Sequence, residues 1–250
     1  MGLAGGENHK KGAGERMRGF RRIGIIGGLS PESTAYYYRK YIEFSQQMFG
    51  PRVFPDLVVY SVNFGEFFAG TWDIRKDILI KAARALEKAG VEVAGIASNT
   101  PHMVFSDVAD AVEMEMVSII NVVADEALRR EMRRLLLLGT QTTMSQPFYR
   151  DALRERGVEV VVPSEEEMAE VNRIITDELM FSDTRSKWWA VDLIEKYASQ
   201  AGVDGVVLGC TELPLLIHEG DVSVGVINSA AVHMRALLER AVSPGEEGSG

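Results

Sequence analysis

Cysteine is nearly absent from this chain of 250 residues, because Cys210 is the only one. A single cysteine excludes an internal disulfide framework and is typical of a reducing compartment. No apolar run approaches the ~20 residues that span a bilayer. The stretch after Arg21 and Arg22 contains three glycines and continues into a folded pattern, so it does not fit a signal peptide. We therefore expect a cytoplasmic protein with no membrane partner.

An excess of positive charge is missing as well. The 27 Lys and Arg residues are outnumbered by 36 Asp and Glu residues, and the net charge at pH 7 is −9. Such a chain offers no attractive field to a nucleic-acid backbone, so a polynucleotide partner is not expected. The remaining composition is that of an ordinary globular protein, with enough residues for one large domain or two small ones.

An internal duplication is the strongest positive signal. Two similar spellings, AGVE and AGVD, lead to the loops that contain Ser98 and Cys210. Three pairs of landmarks share an offset of 112 residues: Gly27 with Gly139, Tyr37 with Tyr149, and Ser98 with Cys210. A fixed offset indicates two similar halves, whose equivalent loops can face each other across a cleft.

Short apolar runs alternate with helical patterns between the two ends of the chain. The runs are near-continuous Val, Ile and Leu, as in parallel strands buried on both faces, and their alternation with helices is typical of right-handed βαβ units. The predicted strands are 22–26, 57–62, 93–97, 117–120, 135–139, 158–162, 206–209 and 223–227. The predicted helices are 31–47, 73–89, 125–133, 146–156, 164–179, 188–201 and 230–241.

These patterns predict an α/β fold of two similar Rossmann-like domains. Each domain is expected to hold a roughly four-stranded parallel sheet flanked by helices, with a pseudo-twofold relation and the active site in the cleft between them. Residues 20–119 and 226–242 would form the first domain, and residues 120–225 the second. Residues 1–19 and 243–250 lack a periodic apolar pattern and are expected to be disordered tails.

Two loops rich in glycine and hydroxyl groups follow the first strand of each half. They are residues 27–34 (GGLSPEST) and 139–143 (GTQTT). Ligands of parallel sheets bind beyond the carboxyl ends of the strands, and donors at a helix start suit a small anion such as a carboxylate. The same residues would also serve as ordinary capping turns. The spelling is not GxGxxG, so a dinucleotide site is not expected.

A second pair of loops holds SNTPH at residues 98–102 and GCTELP at residues 209–214. A cysteine at a strand end and helix start should have a pKa below the usual ~8.5, which would yield a thiolate near neutral pH. The alternative is a buried cysteine that acts as a small hydrophobe. The polar neighbours Thr211 and Glu212 favour a functional cysteine.

Other polar residues carry weaker signals. His102 could orient the SNTPH loop, and Asn121 and Asn228, which we expect after the last strand of each half, could bind a ligand or join loops. No spacing of His, Cys and Asp predicts a metal site, and no Ser-His-Asp order stands out.

These segments resemble the aspartate/glutamate racemase superfamily over about residues 20–241. IGIIGGLSPESTAYYYRKYIE resembles the opening strand, loop and helix of the family, ASNTPH its first catalytic loop, and LLLLGTQTTM and VVLGCTELP its second half. The resemblance implies a racemase that uses neither pyridoxal phosphate nor a metal, in which two cysteines act on opposite faces of an α-carbon. It also implies a homodimer and a small amino or dicarboxylic acid as the ligand.

Carried over by residue, the resemblance makes Cys210 one acid/base and places Ser98 where the family usually has its other cysteine. A hydroxyl is too weak an acid to become a resting base near neutral pH, so Ser98 cannot replace a thiolate in the usual way. The family aspartate of the final strand is Asn228 here, and the arginine that some aspartate-specific members place after the second strand has no clear counterpart. The substrate-binding residues implied by the resemblance are Asn99, Thr100, Thr140, Thr142, Thr143, Thr211 and Arg185.

Three functions remain open at this point. The first is a cofactor-independent racemase-type isomerase of the aspartate/glutamate class, impaired or inactive as a racemase because of Ser98. The second is a decarboxylase of malonate-type acids, which needs only Cys210 to protonate an enediolate from one face, although the threonine-rich loop is polar for such an enzyme. The third is a non-catalytic amino-acid-binding protein.

Overall fold

Two parallel sheets of four strands each organise residues 19–242, the part of the chain that the computed structural model describes. The strands are β1 (Ile23–Gly27), β2 (Leu57–Ser61), β3 (Val93–Ile96), β4 (Glu115–Val117), β5 (Arg134–Gly139), β6 (Glu159–Val161), β7 (Gly205–Gly209) and β8 (Gly225–Asn228). The strand orders are β2-β1-β3-β4 and β6-β5-β7-β8, with parallel pairing throughout. The predicted α/β class with two four-stranded parallel sheets is confirmed.

Helices connect the strands and cover the sheets. They are α1 (Pro31–Phe49), α2 (Phe64–Ala69), α3 (Trp72–Lys88), α4 (Phe105–Ala109), α5 (Ile119–Arg129), α6 (Gln141–Ser145), α7 (Pro147–Glu155), α8 (Glu165–Arg173), α9 (Lys187–Ala201) and α10 (Ser229–Ala241). Short 3₁₀ turns cover Thr100–Val104, Leu179–Phe181 and Leu213–Leu215, and a π-helical turn covers Ile174–Glu178. None of the described helices is long and apolar enough to cross a membrane.

Serine, threonine and asparagine caps begin the helices that follow the strands. The side chain of Ser30 accepts a backbone N–H at the start of α1, and Thr140 does the same for α6. Ser118 and Asn228 cap α5 and α10 in the same way. Each cap satisfies a donor that the helix cannot satisfy itself, which stabilises the helix by ~1 kcal/mol. The caps also place polar side chains at the carboxyl ends of the strands.

The end of the first half differs from the sequence prediction. The predicted strand over 117–120 is wrong beyond Val117, and the predicted helix over 125–133 begins too late, because α5 already starts at Ile119. Ile119 and Ile120 are buried, so the apolar run continues from strand into helix without a break. A short buried helix segment and a buried strand cannot be distinguished by such a run.

This shift changes the position expected for one asparagine. Asn121 is an exposed residue in the first turn of α5, and its backbone N–H donates to the Ser118 cap. The residue that occupies the place of Asn228 in the first half is therefore Ser118, the cap that follows β4. The predicted equivalence of Asn121 with Asn228 is wrong.

Each half contributes its last helix to the core of the other half. Helix α5 follows the first sheet but packs into the core of the second, and α10 follows the second sheet but packs into the core of the first. The two helices also pack against each other. The division expected from the sequence, 20–119 with 226–242 and 120–225, assigns β8 to the first domain, whereas β8 pairs with β7. We propose the same division with β8 transferred to the second domain.

The two ends of the described chain meet. Phe20 forms an antiparallel bridge with Val242, so the first and last described segments lie side by side. The predicted tails, 1–19 and 243–250, lie outside the described residues apart from Gly19.

The duplicated tyrosines show where the two halves cease to be alike. Tyr37 on α1 and Tyr149 on α7 are both fully buried. The Tyr37 hydroxyl donates to Nδ1 of His233 at 2.8 Å, and Nε2 of His233 donates to the Val117 carbonyl at 2.9 Å. The Tyr149 hydroxyl has no hydrogen-bond partner among residues 19–242.

We predict that Tyr37→Phe lowers the free energy of unfolding by about 1–3 kcal/mol, because it leaves the His233 Nδ1 acceptor buried without a donor. Tyr149→Phe is the matched control, since it removes a hydroxyl that gains nothing from burial, and it should be neutral or stabilising. Urea unfolding of both variants measures the difference. Equal losses in the two variants would contradict the hydrogen bond between Tyr37 and His233.

Candidate active site

The two loops singled out by the duplication follow equivalent central strands. Ser98 lies two residues beyond β3, and Cys210 directly follows β7. Both residues are partly exposed to solvent. Their loops end in short 3₁₀ turns, so neither loop begins a long helix.

The first hydroxyl cluster, Thr100, Thr140 and Thr143, joins the Ser98 loop to the second half. The Thr100 Oγ1 atom lies 3.0 Å from that of Thr140 and 2.9 Å from that of Thr143. The Thr140 and Thr143 Oγ1 atoms are 3.0 Å apart. Thr140 is the cap of α6 and Thr143 lies in its first turn. Each hydroxyl can donate as well as accept, so the cluster can turn donors towards an anion.

The second hydroxyl cluster, Ser30, Ser33 and Thr211, joins the Cys210 loop to the first half. Ser33 Oγ lies 2.9 Å from Ser30 Oγ and 2.5 Å from Thr211 Oγ1. Ser30 caps α1 and Ser33 lies in its first turn, just as Thr140 and Thr143 do in α6. The two clusters are therefore built from the same local structure in the two halves.

A carboxylate distinguishes the second cluster from the first. Glu212 Oε2 accepts a hydrogen bond from Thr211 Oγ1 at 2.8 Å, and Glu212 Oε1 accepts one from Ser30 Oγ at 3.3 Å. The 112-residue offset pairs Glu212 with Thr100. One half thus presents a carboxylate where the other presents a hydroxyl.

Asn99 connects the Ser98 loop to the strand that precedes Cys210. Its side chain is buried, and Nδ2 donates to Ser229 Oγ at 3.1 Å. Ser229 Oγ in turn donates to the carbonyl of Leu208, two residues before Cys210, at 2.7 Å. Two hydrogen bonds therefore separate the residue after Ser98 from the strand that leads to Cys210. The Asn99 Oδ1 acceptor is buried without a partner among the described residues, and it suits an incoming N–H donor.

His102 fixes the backbone of the Ser98 loop. Its Nε2 accepts the backbone N–H of Ile119 at 3.0 Å, so Nδ1 carries the proton and donates to the Ser98 carbonyl at 2.9 Å. Burial and the nearby His233 lower the pKa of His102 to about 3, which keeps the ring neutral. The orienting role considered for His102 from the sequence agrees with these contacts.

Cys210 is a protonated thiol at rest. Its Sγ donates to Glu212 Oε2 at 2.9 Å. Burial and the Glu212 carboxylate raise the pKa of the thiol well above its ordinary value, and the backbone N–H groups of Thr211 and Glu212 do not compensate. The lowered pKa expected from the sequence is wrong, chiefly because burial of the sulfur disfavours the thiolate and because the neighbouring Glu212 charge is negative. The turn after Cys210 is also only a three-residue 3₁₀ turn, which has little dipole.

Two residues expected to bind substrate lie outside both clusters. Thr142 is half-buried and forms no side-chain hydrogen bond with another described residue, although its carbonyl accepts from Gln146. Arg185 is largely exposed and pairs with Glu178 at 3.2 Å and with Asp183 at 3.5 Å. Of the other residues expected to bind substrate, Thr100, Thr140 and Thr143 lie in the first cluster, Thr211 lies in the second, and Asn99 is linked to the strand before Cys210.

Glu178 is a buried charged residue that the sequence reasoning missed. It ends the π-helical turn, is 1% exposed, and accepts hydrogen bonds from Arg173 and Ser186. Although burial raises the pKa of Glu178, the bonds from Arg173, Ser186 and Arg185 hold it at about 2. The acidic pair at residues 177–178, within the apolar pattern of residues 174–181, is the signal in the sequence that points to it.

Comparison with known proteins agrees with this geometry. A family model described as Asp/Glu/Hydantoin racemase matches residues 26–237. The chain belongs to this family. Within it, the crystal structure of an aspartate racemase homologue from Pyrococcus horikoshii OT3 is 56% identical, with a TM-score of 0.85, and the match covers 89% of this chain and 100% of that one.

Two further matches mark the range of the similarity. The broad specificity amino-acid racemase RacX of Bacillus subtilis (strain 168) is 26% identical over 218 residues, which cover 84% of this chain and 93% of RacX. A mutant of arylmalonate decarboxylase shares the fold, with 15% identity and a TM-score of 0.53 over 92% of this chain and 97% of that one.

Within residues 19–242, no group of three or more His, Cys, Asp or Glu side chains is arranged to hold a metal ion.

The low pKa values of the two buried histidines predict that the free energy of unfolding falls in mild acid. Burial lowers the pKa of His102 to about 3 and that of His233 to about 4, below the ~6.5 of an unfolded chain. As the pH falls, the unfolded state therefore binds their protons first. Their contribution is complete above pH ~6.5 and falls towards pH ~4, by about 1.4 kcal/mol per pH unit for each histidine.

Urea unfolding between pH 7 and pH 5 measures this slope. His102→Gln should remove about half of the contribution that the two buried histidines make to this slope. A slope that stays the same in His102→Gln would show that His102 is not held neutral in the folded protein.

Proposed function

We propose that this protein is a cofactor-independent amino-acid racemase-type isomerase of the aspartate/glutamate class. Cys210 acts as thiol acid/base on one face of the α-carbon, and Ser98 occupies the opposite face. The observation that carries the proposal is the set of contacts between the two halves next to Ser98 and Cys210, namely the two hydroxyl clusters and the Asn99–Ser229–Leu208 chain. Membership of the family, and the names of RacX and the aspartate racemase homologue, support the same reaction class.

The polar groups of the cleft fit the two charged groups of an amino acid. The first hydroxyl cluster can donate to the α-carboxylate, and the unpartnered Asn99 Oδ1 can accept from the ammonium group. Thr211 lies beside Cys210 and would hold the substrate on that face. Thr142 and Arg185 are proposed to join on binding, Arg185 by exchanging its partner Glu178 for a substrate carboxylate.

The proton chemistry of the two faces is unequal. The Cys210 thiol can protonate a carbanion and can remove a proton only as a thiolate. The Ser98 hydroxyl has far too high a pKa to act as a resting base, so inversion through its face requires a bound water. The protein is therefore proposed to be impaired as a racemase.

One observation favours a second candidate, a decarboxylase of malonate-type acids. The raised pKa keeps the Cys210 thiol protonated, and the equivalent position, Ser98, is not a base, which suits protonation of an enediolate from a single face. In that reaction the C–C bond to the departing carboxylate breaks and its electron pair stays on the α-carbon as CO₂ leaves. The thiol proton then forms the new C–H bond, and solvent returns a proton to the thiolate. The hydroxyls of Thr100, Thr140 and Thr143 count against it, because a departing carboxylate is favoured by an apolar pocket.

Substitution of Ser98 tests the proposal. We predict that Ser98→Cys increases racemisation of at least one amino acid by ~100-fold or more, because it adds a second thiol on the opposite face. Ser98→Ala is the matched control without a thiol, and Cys210→Ala should abolish the gain. Chiral chromatography and α-deuteration in heavy water, over a panel that includes both enantiomers of aspartate and glutamate, measure the effect.

Two outcomes would contradict the isomerase. One is the absence of α-deuteration and inversion in both the parent and Ser98→Cys across the panel. The other is release of CO₂ from substituted malonates by the parent with no racemisation in Ser98→Cys, which would establish the decarboxylase instead.

A further inference from the structure

A proline removes one backbone donor from the Ser98 loop. The loop continues into a 3₁₀ turn, in which a carbonyl accepts the N–H of the residue three positions later. The Asn99 carbonyl follows this rule and accepts from the His102 N–H at 3.0 Å. The Ser98 carbonyl cannot follow it, because Pro101 has no N–H. The Ser98 carbonyl must therefore find its donor elsewhere.

The equivalent loop of the second half keeps the backbone donor. The 112-residue offset holds in the sheets as well, because β1 pairs with β3 in the same register as β5 with β7. Leu213 occupies the position of Pro101, and its N–H donates to the Cys210 carbonyl at 3.3 Å. Pro214 occupies the position of His102. The proline thus lies one position later in the second half, where it leaves this hydrogen bond intact.

The ring of His102 supplies the donor that the first half lacks. Its Nδ1 donates to the Ser98 carbonyl at 2.9 Å. Its Nε2 accepts the Ile119 N–H at 3.0 Å, and this second bond keeps the proton on Nδ1. Ile119 begins α5, the helix that packs into the core of the second half. The ring therefore connects the Ser98 carbonyl to the crossover between the halves.

The same contact sets the direction of the next N–H group. The Ser98 carbonyl and the Asn99 N–H belong to one planar trans peptide, so they point in opposite directions, and the N–H points away from the ring of His102. Asn99 is 3% exposed, and its N–H has no acceptor among the described residues. Its Oδ1 is buried without a partner there as well. Two unsatisfied groups on one buried residue indicate that a ligand completes them.

We propose that His102 is a positioning residue, which replaces the backbone donor lost at Pro101 and so turns the Asn99 N–H towards a ligand carboxylate in the cleft. This inference rests on the proposed function and adds to it the side chain that sets the geometry of the Ser98 face. Negative charge grows on the carboxylate as the α-proton leaves, so a fixed N–H donor stabilises the carbanion more than the bound amino acid.

Two substitutions separate the two contacts of the ring. His102→Asn keeps an N–H near the position of Nδ1 and loses the acceptor for Ile119, whereas His102→Gln keeps an acceptor near Nε2 and loses the donor to Ser98. We predict that kcat/KM for α-proton exchange in heavy water falls about 10-fold in His102→Gln, mainly through kcat, and less than about 3-fold in His102→Asn. His102→Asn should nevertheless unfold at the lower urea concentration. Activity that falls in the same order as stability would overturn the positioning role.

A second substitution should rescue the first. Pro101→Ala returns an N–H to position 101, so the double variant with His102→Gln can form the backbone bond that Leu213 forms in the second half. Its kcat/KM should recover to within about 3-fold of the parent. His218→Gln is the matched control, because His218 is exposed and bonds to Asp221, and it should match the parent. A double variant no more active than His102→Gln would overturn the proposal.

Carbon-13 NMR of the Ser98 carbonyl tests the contact without a substrate, because the shift of a carbonyl carbon responds to hydrogen bonding at its oxygen. The signal should move in His102→Gln and return in the double variant, which also lacks the ring. Equal shifts in the parent and His102→Gln would overturn the contact. The expected shifts, together with no exchange of any substrate proton by the parent or Ser98→Cys, would overturn the proposed function and leave the role of His102 in the loop intact.

Discussion

Hydroxyl groups that bond across the two halves are the contacts on which the candidate site depends. In each half, a cap residue and a residue of the first helical turn receive a threonine from the opposite half. Polar groups at a largely buried junction must find partners, and these find them in the other half. Because those threonines belong to the loops of Ser98 and Cys210, the same contacts that join the halves also hold each loop against the opposite half.

Duplication repeated the backbone of this protein but not its chemistry. The strand orders of the sheets are the same, and the caps of α1 and α6 are built alike. The side chains at equivalent positions differ in acidity: Ser98 occupies the position of Cys210, and Thr100 occupies the position of Glu212. A thiol with its own carboxylate partner therefore lies in the loop after β7, and a weakly acidic hydroxyl lies in the equivalent loop after β3.

Local patterns in the sequence predict the fold well, because buried parallel strands and amphipathic helices leave clear periodicities. They fail after Val117, where one apolar run covers both the end of a strand and the start of α5. The site was harder to predict. Thr100, Thr140 and Thr143 could be named from their loops, but their mutual contacts, and the ionisation of Cys210, depend on groups brought together only by the folded chain.

The central claim is that Ser98 and Cys210 address opposite faces of one carbon atom. A crystal structure with a bound amino acid, such as aspartate, measures it directly. The account predicts that the α-carbon lies within about 4 Å of both Cys210 Sγ and Ser98 Oγ, on opposite sides, with the α-carboxylate on the first hydroxyl cluster. A ligand that leaves both side chains on one face, or that binds away from the cleft, would contradict it.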